Sequence, residues 1–249
     1  MKTPLRYLTM LCLLLSLPTF AHAAADYARE KRWAEEVEPG IMTGEAVYLT
    51  AQGRKFLGIF TPAEPASAAV IVVHGMGVHP DWNMIGALRT GLADQGYTTL
   101  SIQMPVLDAE KRADAYPQTF PEARARLNAA VKYLQDKGYR KIALVAHSMG
   151  ARMSDNFLAK GGKTPIAAFV PIGLNGKFEA PTKLAMPVLD LYGSEDFPRV
   201  IDSAKQRQRQ MRNRKNYRQE VSPATDHYFN DKDAELVKFV KAFLDGALK

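Results

Sequence analysis

The chain has 249 residues and a single cysteine, Cys12. That residue lies near the start, in a stretch that reads as an export signal, so the mature protein would carry no thiol. A disulfide framework, a cysteine nucleophile and a thiolate metal site are all excluded by that one count. A long membrane-spanning run is not what the sequence shows: the apolar stretch from Tyr7 to Phe20 is broken by Pro18 and is shorter than the roughly 20 residues a span needs, so it reads as a removed signal, with an uncleaved anchor as the alternative. No spacing of His, Asp and Glu resembles a metal site, and no glycine-rich phosphate loop occurs, so the sequence asks for no cofactor. Internal repeats and low-complexity tracts are absent.

Lys2 and Arg6 precede the apolar stretch, and Ala-His-Ala follows it at residues 21–23, which together make the pattern of a cleavable signal over residues 1–23. The expectation is a periplasmic or secreted protein in which residues 24–249, 226 in number, form one domain. Without Lys2 and Arg6 the 33 Lys and Arg fall to 31, against 26 Asp and Glu. The resulting charge of +5 is too modest to name a partner.

Four nearly continuous apolar runs, at 68–73, 141–146, 166–172 and 187–192, have the character of strands covered on both faces, as in a parallel sheet. Residues 97–105 predict another strand, 46–60 a leading hairpin, and the polar stretch 217–223 an edge strand. Apolar residues at helical spacing fall between them: Met84, Leu88 and Leu92; Leu127, Val131 and Leu134; Leu236, Val240 and Leu244. Alternating strands and helices predict an α/β fold, a doubly wound and mostly parallel sheet. Sites in such sheets form at the carboxyl ends of the strands, so the residues just after each apolar run carry the information.

After the strand at 141–146 comes "AHSMG", with a helix expected from Met149 to Lys160. This is the strand, serine, helix context of a nucleophile elbow, with Ala146 where the usual motif has its first glycine; the flanking residues must be small because helix and strand pass closely. A serine nucleophile needs a base, and in this arrangement the order is serine, acid, histidine. Of five histidines, only His227 follows Ser148. Asp196, in "GSED" after the strand at 187–192, is the acid expected to hold the His227 tautomer; its plainer reading is a helix cap, and Glu195 is its neighbour on the turn. Asp190, inside the strand, reads as a group bonded to nearby backbone. The loop "HGMGVHPDW" after the strand at 68–73 would supply one oxyanion donor, the N–H of Met76, and Met149 the other. Gly75 and Gly77 would let the backbone approach a substrate. His79 and Trp82 would line the site, and Asp81 or Asn83 would cap the next helix. His147 reads as a packed, hydrogen-bonded histidine, not a second base.

These motifs resemble the α/β-hydrolase superfamily: "HGMG", "AHSMG", "GSED" and "DHYF" fall in its order over nearly the whole mature chain. The stretch from "HGMGVHPDW" through "TTLSIQMP" is similar, more narrowly, to a group of exported bacterial hydrolases of unknown function. The resemblance implies Ser148 as nucleophile, Asp196 as acid and His227 as base. Only about a dozen residues separate "IGL" from "MPVL", which implies an α/β-hydrolase fold without a large cap domain and with an open site. The function expected is that of a carboxylesterase-like serine hydrolase acting on a small-molecule ester. A thioesterase or small peptidase would show the same residues, and a non-catalytic envelope-binding protein on this scaffold is the alternative from another class.

Residues 199–218 carry eight basic side chains against Asp202 alone. They read as a solvated helix on the outer face of the sheet, or as a weak contact for anionic envelope components. No aromatic residues interleave with the basic ones before Tyr217, which argues against nucleic acid. Oligomeric state has no signature in the sequence.

Overall fold

The computed structural model describes residues 25–66, 68–162 and 164–248; the signal expected over residues 1–23 lies outside them. In chain order the elements are α1 (Tyr27–Val37), β1 (Glu45–Ala51), β2 (Arg54–Thr61), β3 (Ala68–Val73), α2 (Met84–Asp94), β4 (Tyr97–Ile102), α3 (Phe120–Asp136), β5 (Ile142–His147), α4 (Met149–Lys160), β6 (Ile166–Ile172), β7 (Val188–Gly193), α5 (Pro198–Met211), β8 (Tyr217–Ser222) and α6 (Asp233–Ala247). The strands form one eight-stranded sheet in the order β1-β2-β4-β3-β5-β6-β7-β8. The β1–β2 hairpin is antiparallel and joins β4 antiparallel; the other neighbours are parallel.

Every residue of β3, β5 and β7 is buried, as continuous apolar runs require when both faces of a sheet are covered. Side chains alternate across the pleat. Ala69, Ile71, Val73 and Leu144 face a core shared with Leu127 and Leu134 of α3 and Phe157 of α4. Val70, Val72 and Val145 face the opposite core, with Leu88 of α2 and Leu236 and Val240 of α6. The sheet is thus doubly wound, as its sequence predicts. Between β6 and β7 the chain makes only a single 3-10 turn, Pro181–Lys183, so no cap domain stands over the carboxyl ends of the strands.

Several local expectations are corrected. The strand predicted over 97–105 stops at Ile102, because Gln103 and Met104 turn to meet His74. The backbone N–H of Met104 donates to His74 Nε2 at 2.8 Å, and His74 Nδ1–H donates to the carbonyl of Gly75 at 2.8 Å. Neither Asp81 nor Asn83 caps α2 through its side chain. Asp81 Oδ1 accepts instead from Arg89 Nε and Nη2, at 2.9 and 2.7 Å; pairing with a guanidinium that is only 3% exposed outweighs a helix cap. The basic segment is not uniformly solvated either. Arg207 is wholly buried and meets Asp190 in a bidentate pair at 2.8 and 2.9 Å, so Asp190 binds side chains where backbone was expected. Helix α1 has no counterpart among the expected elements.

Candidate active site

Ser148 sits between β5 and α4 with φ 53° and ψ −118°, a conformation that costs a non-glycine residue about 1 to 3 kcal/mol and is held only by its surroundings. The sequence explains how it is held. A side chain on Gly150 would meet the His74 carbonyl at 2.2 Å, so only glycine lets α4 pass this close to the end of β3. Ala146 lies wholly in the core. The backbone N–H of Ser148 donates to the carbonyl of Ile172, anchoring the turn to β6.

Ser148 Oγ lies 2.9 Å from His227 Nε2, and His227 Nδ1 lies 2.7 Å from Asp196 Oδ1. Since Asp196 is an acceptor at the neighbouring position, Nδ1 carries the proton and Nε2 is left to accept from the serine hydroxyl. Asp196 and His227 are 3% and 5% exposed. Asp196 Oδ1 also accepts from the backbone N–H of Phe197 at 2.7 Å; the helix itself begins at Pro198, with Phe197 at the cap position. His147 donates Nε2–H to the carbonyl of His227 at 2.9 Å, and its ring lies 4.7 Å from the His227 ring. It is packed and bonded, as its place in the strand suggested.

The glycine loop after β3 runs beside the serine: a methyl group on Gly75 would stand 3.2 Å from Ser148 Cβ and 3.1 Å from His147 Nδ1. Met149 is the first residue of α4, a position whose N–H has no partner within the helix. The Met76 side chain is 42% exposed. Trp82 reaches the neighbourhood of His227 through Tyr228, whose ring it meets edge-on at 5.8 Å, whereas His79 is drawn to α1, edge-on to Trp33 at 5.9 Å. Gly77 is also tied to α1: its carbonyl accepts from Arg29 Nη2 at 3.2 Å, while Arg29 Nη1 donates to the carbonyl of Leu107 at 3.0 Å.

Sequence reasoning missed Gly173 and α1. Gly173 has φ +59°, and a side chain there would stand 3.0 Å from His227 Cε1 and 3.3 Å from Asp196 Oδ2. A Cβ here would crowd both the histidine and its acid, so the absence of a side chain leaves the room in which they meet. The signal was a glycine directly after a buried strand. Among the described residues, no group of His, Cys, Asp and Glu could hold a metal ion.

The chain matches, over residues 7–122 and 108–245, the family described as protein of unknown function DUF3530. The chain belongs to this DUF3530 family. No curated protein matches it. Solved structures similar to this DUF3530 protein are consistently α/β-hydrolases. Est1E from Butyrivibrio proteoclasticus matches with a TM-score of 0.66 and 16% identity, over 82% of this chain and 98% of that one. An alpha-beta serine hydrolase homologue from Coxiella burnetii matches with 0.66 and 18%, over 82% and 99%. A Xanthomonas campestris member of the a/b serine hydrolases without lid matches with 0.64 and 15%, over 82% and 94%. At such identities the likeness is one of fold, and this DUF3530 chain has the α/β-hydrolase fold.

Burial sets the acid sensitivity of this fold. His74 and His147 are wholly buried, and loss of hydration pulls each down from 6.5 to about 3. In the unfolded chain they take up protons below about 6.5, so the stability they confer is complete above that pH and is lost as pH falls toward 3. Glu30 and Asp155 act in the opposite sense. Burial raises both to about 7, for Glu30 in spite of Arg126 at 2.9 Å, so their contribution is present at low pH and lost as pH rises through 7. The two pairs oppose each other between about 4.5 and 6.5, and below about 4 the histidines act unopposed. Denaturant titrations are therefore expected to show a nearly flat stability from these four groups over the upper window. Between about 4 and 3 stability should fall steeply, by about 1.4 kcal/mol per pH unit for each histidine, and His147→Gln should halve that limb. An unchanged slope in the variant would show that His147 is not the buried neutral group.

Proposed function

We propose that this protein is an exported serine hydrolase that cleaves carboxylic esters through an acyl-enzyme. The observation that carries the reading is the continuous line Ser148 Oγ, His227 Nε2, His227 Nδ1, Asp196 Oδ1, at 2.9 and 2.7 Å. A packing role for serine requires no such alignment. In the first half-reaction Ser148 Oγ attacks the ester carbonyl carbon while His227 Nε2 takes the hydroxyl proton. The carbonyl oxygen becomes an oxyanion, held by the N–H groups of Met76 and Met149, the second with the positive end of α4 behind it. Collapse of the intermediate breaks the bond to the leaving alcohol, whose oxygen receives the proton from His227. Water then repeats the sequence, giving His227 a proton and the acyl carbon its oxygen, and Ser148 is restored.

The Asp196 carboxylate faces the imidazolium that forms twice per turnover. No step calls for a metal or organic cofactor. Export rests on the charged and apolar pattern of residues 1–23 alone. Similarity to esterases and serine hydrolases agrees with the reading at the level of fold.

A fluorophosphonate probe tests it directly. Intact mass is expected to show one probe per molecule of the protein and none on Ser148→Ala. A folded protein that takes up no probe would overturn the reading. Labelled protein is then offered matched ester, thioester and amide substrates, and the ester is expected to turn over fastest.

A further inference from the structure

Six large apolar side chains stand well exposed among the described residues: Met42, Tyr48, Met76, Phe197, Val221 and Tyr228. Three of these lie next in sequence to site residues, Met76 beside Gly75, Phe197 beside Asp196 and Tyr228 beside His227. Exposed apolar surface concentrated around a reactive centre marks a place where a ligand is covered.

The rings have a defined arrangement. Phe197 stacks on the His227 imidazole, with centroids 4.4 Å apart and planes 30° from parallel, yet it keeps 45% of its surface exposed. Tyr228 meets the same imidazole edge-on at 5.2 Å and stands at 88° to Phe197, with centroids 6.1 Å apart. Trp82 backs Tyr228 edge-on. Phe197 and Tyr228 are thus two walls at a right angle, both in contact with the imidazole that hydrogen bonds to Ser148.

We infer that this corner selects esters bearing a planar aromatic ring, on the acyl or the alcohol side. The inference rests on the serine-hydrolase reading and gives it a substrate class. A flat aromatic ring in such a corner stacks on one wall and meets the edge of the other, and both contacts are favourable for ring quadrupoles. A saturated ring of the same size covers the same area without them. The expected advantage is about tenfold in kcat/KM.

The test uses two matched pairs, methyl benzoate against methyl cyclohexanecarboxylate, and benzyl acetate against cyclohexylmethyl acetate, with each rate divided by that of hydroxide-catalysed hydrolysis. In one pair the aromatic member is expected to lead by about tenfold, and which pair does so tells whether the acyl or the alcohol group occupies the corner. In Phe197→Leu and Tyr228→Leu, which keep apolar bulk without a ring, that ratio is expected to collapse toward one. Parity in both pairs for the unaltered protein overturns the inference, as does an aromatic lead that survives both substitutions. Fluorophosphonate labelling of the same samples separates the two levels. Labelled protein with parity removes only the aromatic preference, whereas unlabelled, folded protein removes the hydrolase reading beneath it.

Discussion

His227→Ala is expected to lower kcat for ester hydrolysis by about 10⁶-fold, and the double variant with Ser148→Ala to lose little more. The imidazole is the one group that touches both ends of the proton path, with Ser148 Oγ at 2.9 Å and Asp196 Oδ1 at 2.7 Å. Without it the serine hydroxyl has no base to receive its proton, and without the serine the base has nothing to activate, so the two losses are not additive. Single-turnover kinetics on the three variants checks this. Additive losses would mean that the two residues work apart. Asp196→Asn should cost less than either. Its single bonded oxygen accepts from both His227 Nδ1 and the Phe197 N–H, so the amide oxygen can take that place and preserve the tautomer. What is lost is the negative charge facing the imidazolium, and the remaining amide nitrogen occupies the position of Asp196 Oδ2, which has no partner.

The largest loss of stability is expected at Asp190. Besides Arg207, this fully buried carboxylate accepts from Tyr217 Oη at 2.7 Å and Gln219 Nε2 at 2.8 Å. Asp190→Ala leaves a guanidinium charge inside the protein with the carbonyls of Leu174 and Gly176 and the Phe178 ring as partners but no counter-charge. Leaving such a charge unpaired costs about 3 to 5 kcal/mol, which in a domain of this size lowers Tm on the order of 10 °C. Asp190→Leu combined with Arg207→Met removes both charges and should recover most of the loss in thermal denaturation. A double variant no better than Asp190→Ala would show that the pair does more than neutralise itself.

The sheet, and the meeting of Ser148, His227 and Asp196, were legible because they depend on short-range patterns. Each strand that ends at the site is an apolar run whose last residues mark the reactive loop, and only one histidine follows Ser148. Helix α1 was not legible, because what defines it is distant. Glu30 pairs with Arg126, and Arg29 with the carbonyls of Gly77 and Leu107, while its local sequence is that of an ordinary polar helix. The buried state of Arg207 could have been anticipated. Val200, Ala204, Arg207 and Met211 recur at helical spacing and are all buried, so the arginine occupies a core position in an otherwise basic segment. Its partner could not, since Asp190 and Arg207 meet only when α5 folds back over β7. The end of β4 and the diversion of Asp81 from a helix cap were set by His74 and Arg89, whose bonds cross between elements.

The contacts that bring His227 to Ser148 and to Asp196 close separations of 79 and 31 residues. Long loops of this kind must be ordered before the contacts that close them repay the entropy. A chain in which β8 and the turn after it have not yet joined the sheet holds a serine with no base beside it. The proposed chemistry is therefore silent until these segments have joined the sheet, and a nascent chain would be harmless to any ester it met.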